Sequence, residues 1–332
     1  MKIIFYKWIK RILLGALALV LFASSIGMLS EFYLRKMINE KYPPPGVLIE
    51  VDDHQLHYVR GGGPGPITVI FESGLDQGGH LVWGKVQEKV NEFAPTLSYD
   101  RAGVLWSERG GNPKTGSAIA EELHELLTKS NVSQPYLLVG HSIAGLTLRS
   151  YVDKYPEEVA GVVFVDASHP NQKEVIPELD GGATPPLWVF RFLFSTGIAR
   201  LMLDRHYPGT DPVDQINVIV NDVFPGHWIG LADEVKATDM LYKEAQEISS
   251  FGNIPMAVIT GTRPDRWDAA PERIPKEKLT KGVIELQKDL LNLSGNSFWV
   301  PAEKSGHYVQ LEQPEVIVEA IRELLKRQAN GP

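Results

Sequence analysis

The sequence predicts an α/β protein with a mainly parallel central sheet flanked by helices, and three observations carry that prediction. Short β-branched apolar runs alternate with amphipathic helical patterns from about residue 67 onward, which is how a parallel sheet covered on both faces reads. The run Leu137-Leu138-Val139-Gly140-His141-Ser142-Ile143-Ala144-Gly145 ends a buried strand abruptly in a serine among small residues. A closing amphipathic helix over 314–326 puts Val316, Ile317, Ala320, Ile321, Leu324 and Leu325 on one face,.

The elements follow in order. Lys2, Lys7, Lys10 and Arg11 precede an uncharged stretch over 12–29, close to the minimum length that spans a bilayer as a helix. Residues 1–37 are therefore expected to form a transmembrane signal-anchor, with the basic cluster cytoplasmic and the rest of the chain extracytoplasmic. A cleaved signal peptide is the alternative, although Ala23-Ser24-Ser25 offers no clean small-x-small site,. Residues 38–46, with Tyr42-Pro43-Pro44-Pro45-Gly46, read as a stiff linker,.

The expected catalytic domain fills 47–332. Its strands are predicted at 47–51 and 55–60 (a hairpin around Asp52-Asp53), then at 67–71, 96–99, 136–139, 161–165, 256–260 and 297–300, with a helix over 117–129,. Between about 170 and 253 the alternation stops, and Trp188, Phe190, Phe192, Phe194, Phe224 and Trp228 accumulate without a convincing strand. This segment is expected to be a helical cap over an apolar pocket, unless its aromatics simply form a small core of their own.

Composition excludes several classes. The chain has no cysteine, so a thiolate nucleophile, a disulfide scaffold and cysteine-ligated metals are ruled out. Removing the four basic residues of the first thirty from a net charge of −8 leaves −12, which gives no general attraction for nucleic acid. No metal or organic cofactor is implied.

The turn at Ser142 is the chemical signal. To lift a hydroxyl above a strand end the backbone must bend so tightly that flanking positions stay small, a condition Gly140 and Ala144 meet,. A serine nucleophile also needs a base, an acid to orient it, and donors for the oxyanion. His307, in Ser305-Gly306-His307 after the last strand, is the expected base. Asp265, just past the 256–260 strand, is the expected acid, with Asp166 and Asp268 as alternatives. The amides of Ile143 and Leu75 are the expected oxyanion donors. His141 is expected to point to the opposite side of the turn in a packing role, and His54, His57, His124, His206 and His227 to be surface or cap residues.

Taken together, Phe71-Glu72-Ser73-Gly74-Leu75, Tyr99-Asp100-Arg101-Ala102-Gly103 with Trp106-Ser107, the Ser142 turn, Val165-Asp166-Ala167-Ser168-His169-Pro170 and Ser305-Gly306-His307 resemble the α/β-hydrolase fold family over nearly all of 47–326. The resemblance implies an α/β-hydrolase fold with a cap insertion and a nucleophile, acid and base at Ser142, Asp265 and His307. It also implies a structural role for Asp100 and Arg101. Ala144 stands where the family most often has glycine, and Glu72-Ser73-Gly74 replaces the more frequent histidine-glycine motif, similar to a bacterial subgroup. The serine at 142 argues against the epoxide- and haloalkane-cleaving branches, which need a carboxylate there.

The function expected from this reading is membrane-anchored serine hydrolysis of a small or medium apolar ester, thioester or amide. Acyl transfer or cofactor-free perhydrolysis on the same residues is one alternative, and a non-catalytic binding protein that keeps the fold is another.

Overall fold

The computed structural model describes residues 2–179, 186–268 and 270–329. Residues 180–185 of the expected cap lie outside the described residues. The helices are α1 (Lys2–Lys41), α2 (Gly84–Val90), α3 (Gly116–Lys129), α4 (Ala144–Lys154), α5 (Gln172–Val175), α6 (Leu187–Ser195), α7 (Ile198–Met202), α8 (Gln215–Gln246), α9 (Lys276–Asp289), α10 (Val309–Glu312) and α11 (Pro314–Ala329). The strands are β1 (Val47–Val51), β2 (His54–Gly62), β3 (Thr68–Glu72), β4 (Pro95–Asp100), β5 (Tyr136–His141), β6 (Val159–Val165), β7 (Met256–Gly261) and β8 (Ser297–Ala302).

The eight strands form one sheet in the order β1-β2-β4-β3-β5-β6-β7-β8. β1 pairs with β2 and β2 with β4 antiparallel, and the remaining pairs are parallel. β3, β5, β6 and β7 are buried at every position, which is why they read as unbroken apolar runs rather than alternating ones. One core lies under α3 and α4, around Leu123, Leu138, Tyr151 and Phe164. The other lies under α2 and α11, around Phe71, Trp83, Val139 and Ile321. Because β3, β5, β6 and β7 are parallel neighbours, their C-terminal ends share one edge, and loops leaving that edge converge.

The end of the first helix differs from expectation by four residues. The first helix does not stop at residue 37 but continues to Lys41, since no breaker precedes Pro43 and Ile38 packs beside Val104, Leu105 and Val223. In the insert, α8 runs 32 residues with Pro225 inside it. The chain between β6 and β7 forms α5 to α8, without a sheet strand among its described residues.

Candidate active site

Ser142 sits between the end of β5 and α4 with φ +55°. That left-handed backbone is costly for a non-glycine residue and is a mark of a position held under strain. Surrounding bonds hold it: its N–H donates to Val165 O at 3.2 Å, while its carbonyl accepts from Gly145 and Ser168. The small neighbours have a measurable reason. A Cβ on Gly140 would meet Leu148 Cδ1 at 2.5 Å and Ala144 Cβ at 2.9 Å. The methyl of Ala144 is thus accommodated because residue 140 has none.

Ser142 Oγ lies 3.1 Å from His307 Nε2, and His307 Nδ1 lies 2.6 Å from Asp166 Oδ2. Asp166 follows β6 directly and also has positive φ, +42°. Its carboxylate accepts from the Gly261 amide at 3.0 Å and from both terminal nitrogens of Arg266, at 3.2 and 2.9 Å. Burial on its own would raise this carboxyl, but Arg266 and the His307 N–H outweigh it and hold it down at about 2,. An ionised Asp166 fixes the His307 proton on Nδ1 and leaves the Nε2 lone pair facing the serine hydroxyl.

This geometry corrects the expectation for Asp265. That side chain is 59% exposed and ion-pairs with Arg263, and Asp268, 68% exposed, pairs with Lys276 at 2.7 Å. The loop after β7 turns its arginines inward and its aspartates to solvent. Arg266 reaches Asp166, and Arg263 reaches Glu312, which in turn accepts from Gly306 N and Ser305 Oγ in the His307 loop.

His141 is also corrected. It does not point away from the site. Its Nε2 donates to the His307 carbonyl at 2.9 Å, and the two rings lie 4.6 Å apart. Burial, with His307 adding to it, pushes His141 down to about 3, so the ring is neutral. The motif letters show the residue but not which way the turn aims it. An unfolded histidine titrates near 6.5, so below that pH the unfolded chain gains a proton that the folded chain refuses until about 3. The contribution is complete above pH 6.5 and is lost as pH falls toward 3. In His141→Gln, which keeps a donor toward His307, the fall in Tm between pH 7 and pH 4.5 is expected to be smaller than in wild type. Parallel Tm profiles would refute this.

The loop after β3 runs beside the serine. A Cβ on Gly74 would lie 3.0 Å from Ser142 Cβ and 2.8 Å from His141 Nδ1. Leu75 packs with Ile143, Leu146 and Leu241, and among the described residues neither the Leu75 nor the Ile143 amide is taken by another group. Arg101 holds the loop from behind: Nη1 donates to Ser73 O at 2.5 Å, Nη2 to Gly74 O at 2.7 Å, and its Nε to Glu234 of α8 at 2.7 Å. Glu72 is paired with Thr147 and Arg101, and Asp76 accepts from Tyr207 and Tyr308.

A cavity of about 320 Å³ opens on Ser142, Asp166 and His307 and continues past Trp267, Val283 and Leu286. A second cavity, of about 470 Å³, lies in the insert between α6 and α8. The buried trio His57, His80 and Asp100 could hold a metal by geometry. However, Asp100 already accepts from both rings, and His57 Nε2 accepts from Gly46 N. The trio is therefore a satisfied polar network, and His57, fully buried, is not the surface residue expected.

The fold and the strained serine turn define a class, that of the α/β-hydrolase-fold proteins. Residues 67–201 match the family model described as alpha/beta hydrolase fold, and the chain has that fold. It is similar to the uncharacterized protein YbdG of Bacillus subtilis strain 168, 28% identical over 207 residues, 61% of this chain and 62% of that protein. It is also similar to the probable transporter efuK of Hormonema carpetanum, 31% identical over 302 residues, 83% of this chain and 42% of that protein. The matches thus span less than two thirds of the length of these two curated relatives. A solved thermophilic esterase from Thermogutta terrifontis shares the fold, with a TM-score of 0.58 at 17% identity over 85% of this chain and 98% of that one.

Proposed function

We propose that the chain is a membrane-anchored serine hydrolase that cleaves small or medium apolar carboxylic esters, or the related thioesters and amides. The observation that carries this reading is the contact chain from Ser142 Oγ through His307 to Asp166, at 3.1 and 2.6 Å. His307 Nε2 takes the serine proton as Oγ attacks the carbonyl carbon. The oxyanion that forms is received by the Leu75 and Ile143 amides, with the N-terminus of α4 behind them. His307 then gives its proton to the leaving oxygen, sulfur or nitrogen, which leaves an acyl group on Ser142. Water, deprotonated by His307, attacks the acyl carbon; the acyl–Oγ bond breaks, His307 returns the proton to Ser142 Oγ, and the acid is released. A serine, rather than an aspartate, at the turn favours ester over epoxide chemistry.

Anchoring rests on α1. Its segment Phe5–Lys41 is long and apolar enough to cross a membrane, with a mean hydropathy of 2.4 in its most apolar window. The basic residues at its start favour a cytoplasmic N-terminus and an extracytoplasmic catalytic part.

A fluorophosphonate probe tests the nucleophile. Labelling of the full chain is expected at Ser142, mapped by mass spectrometry, and is expected to vanish in Ser142→Ala and His307→Ala. A folded wild-type chain that stays unlabelled would sink the proposal.

A further inference from the structure

The C-terminal part of α1 docks on the insert. At Gly27 the approach is so close that a Cβ would meet Thr196 O at 2.5 Å. One turn later Glu31, only 2% exposed, is gripped by Arg35 and by Arg200 of α7, and Arg35 Nη2 donates to Phe194 O. Gly27 still belongs to the apolar stretch that ends at Leu29. The insert therefore meets α1 within the last turn of the segment that would lie in hydrocarbon, with no spacer to lift it clear.

The surface at that junction is apolar. Trp188 and Phe192, one helical turn apart on α6, are 70% and 42% exposed, and Leu201 and Met202 at the end of α7 are 88% and 71% exposed. Directly behind α6 is the cavity of about 470 Å³, walled by Leu187, Phe190, Phe194, Phe224, Trp228 and Leu231. Phe194 stacks on Trp228 at 5.1 Å, while Leu187 and Phe190 are half-buried, so the cavity reaches the surface on the α6 side. Gln77, two residues beyond Leu75 in the loop after β3, also lines this cavity, which is separate from the one that opens on Ser142.

We infer that the α6–α7 end of the insert rests in the bilayer that α1 enters, and that the cavity behind it takes the acyl chain of a membrane lipid. The continuity of this face with α1 is what commits it to a lipid surface rather than to a protein partner. The inference rests on the hydrolase and anchor readings above and narrows the substrate to an acyl lipid drawn from the membrane.

The absence of cysteine makes the test direct. Leu201→Cys, Leu17→Cys and Glu277→Cys, each carrying an environment-sensitive NBD dye, are reconstituted as full chains in phosphatidylcholine–phosphatidylglycerol vesicles containing doxyl-labelled lipid. Quenching is expected at 17 and 201 and not at 277. Quenching at 17 alone overturns the inference while the anchor reading stands, and quenching at none of the three overturns both. Separately, Leu231→Trp, which fills the cavity, is expected to lower the ratio of long-chain to acetyl ester turnover at least tenfold. An unchanged ratio in a chain still labelled at Ser142 overturns the acyl assignment, whereas loss of labelling in wild type refutes the hydrolase reading instead.

Discussion

Asp166→Asn is expected to lower kcat by about 10³- to 10⁴-fold, whereas Asp265→Asn and Asp268→Asn are expected to stay within about threefold of wild type. The asparagine fits the same space but can turn its NH₂ toward His307 Nδ1. The imidazole proton then moves to Nε2, facing Ser142, and the base is lost. Asp166 also neutralises Arg266 in a buried site, with side-chain exposures of 4% and 6%. The variant should therefore lose stability as well, by about 3–5 kcal/mol for a broken buried pair. Two measurements separate the effects: urea melts give the stability loss, and kcat at a temperature where both proteins are folded gives the chemical loss. Because the carboxyl is held at about 2, protonation of Asp166 leaves activity unaffected down to about pH 3. Its stabilising contribution is full above the unfolded value near 3.9 and is lost as pH falls through about 2. An Asp265→Asn loss equal to that of Asp166→Asn would overturn the assignment.

Ser142 and His307 are legible because each has a local signature, a strained strand-to-helix turn and a loop between the last strand and the closing helices. Asp166 and Asp265 share one signature, an acid just past a buried strand. β6 and β7 are adjacent and parallel, with Val165 opposite Ile259, so both acids emerge at the same edge near His307. The choice falls to features no spacing encodes: the left-handed turn at Asp166, and the curl of the β7 loop that sends Arg266 inward and Asp265 out. The same holds for His141, whose direction depends on how the Ser142 turn is closed. The sheet was legible for the opposite reason. Strands covered on both faces are unbroken apolar runs, and only their ends moved by one or two residues when tertiary hydrogen bonds extended them.

Arg101→Ala is expected to destabilise the fold by about 3–5 kcal/mol, as for a broken buried ion pair. The guanidinium is 4% exposed and faces two carboxylates, Glu234 at 2.7 Å and Glu72 at 3.5 Å. Glu72, already pushed up by burial, would lose the charge that offsets it. The carbonyls of Ser73 and Gly74 would lose their donors too, so the Leu75 amide would no longer be held beside Ser142. A fall in kcat beyond the stability loss follows, read at a temperature where the variant remains folded. Glu234→Gln distinguishes the two halves of this network. It removes the charge and one of the two bonds to α8, its remaining carbonyl oxygen still accepting from Arg101, while Arg101 keeps both loop carbonyls, so it should cost only about 1–2 kcal/mol and leave kcat for a short ester nearly intact. If Glu234→Gln instead reduces kcat as far as Arg101→Ala does, the loop is positioned by the insert itself. Closure of α8 over the site, rather than the pinning of the loop by Arg101, would then set the oxyanion geometry.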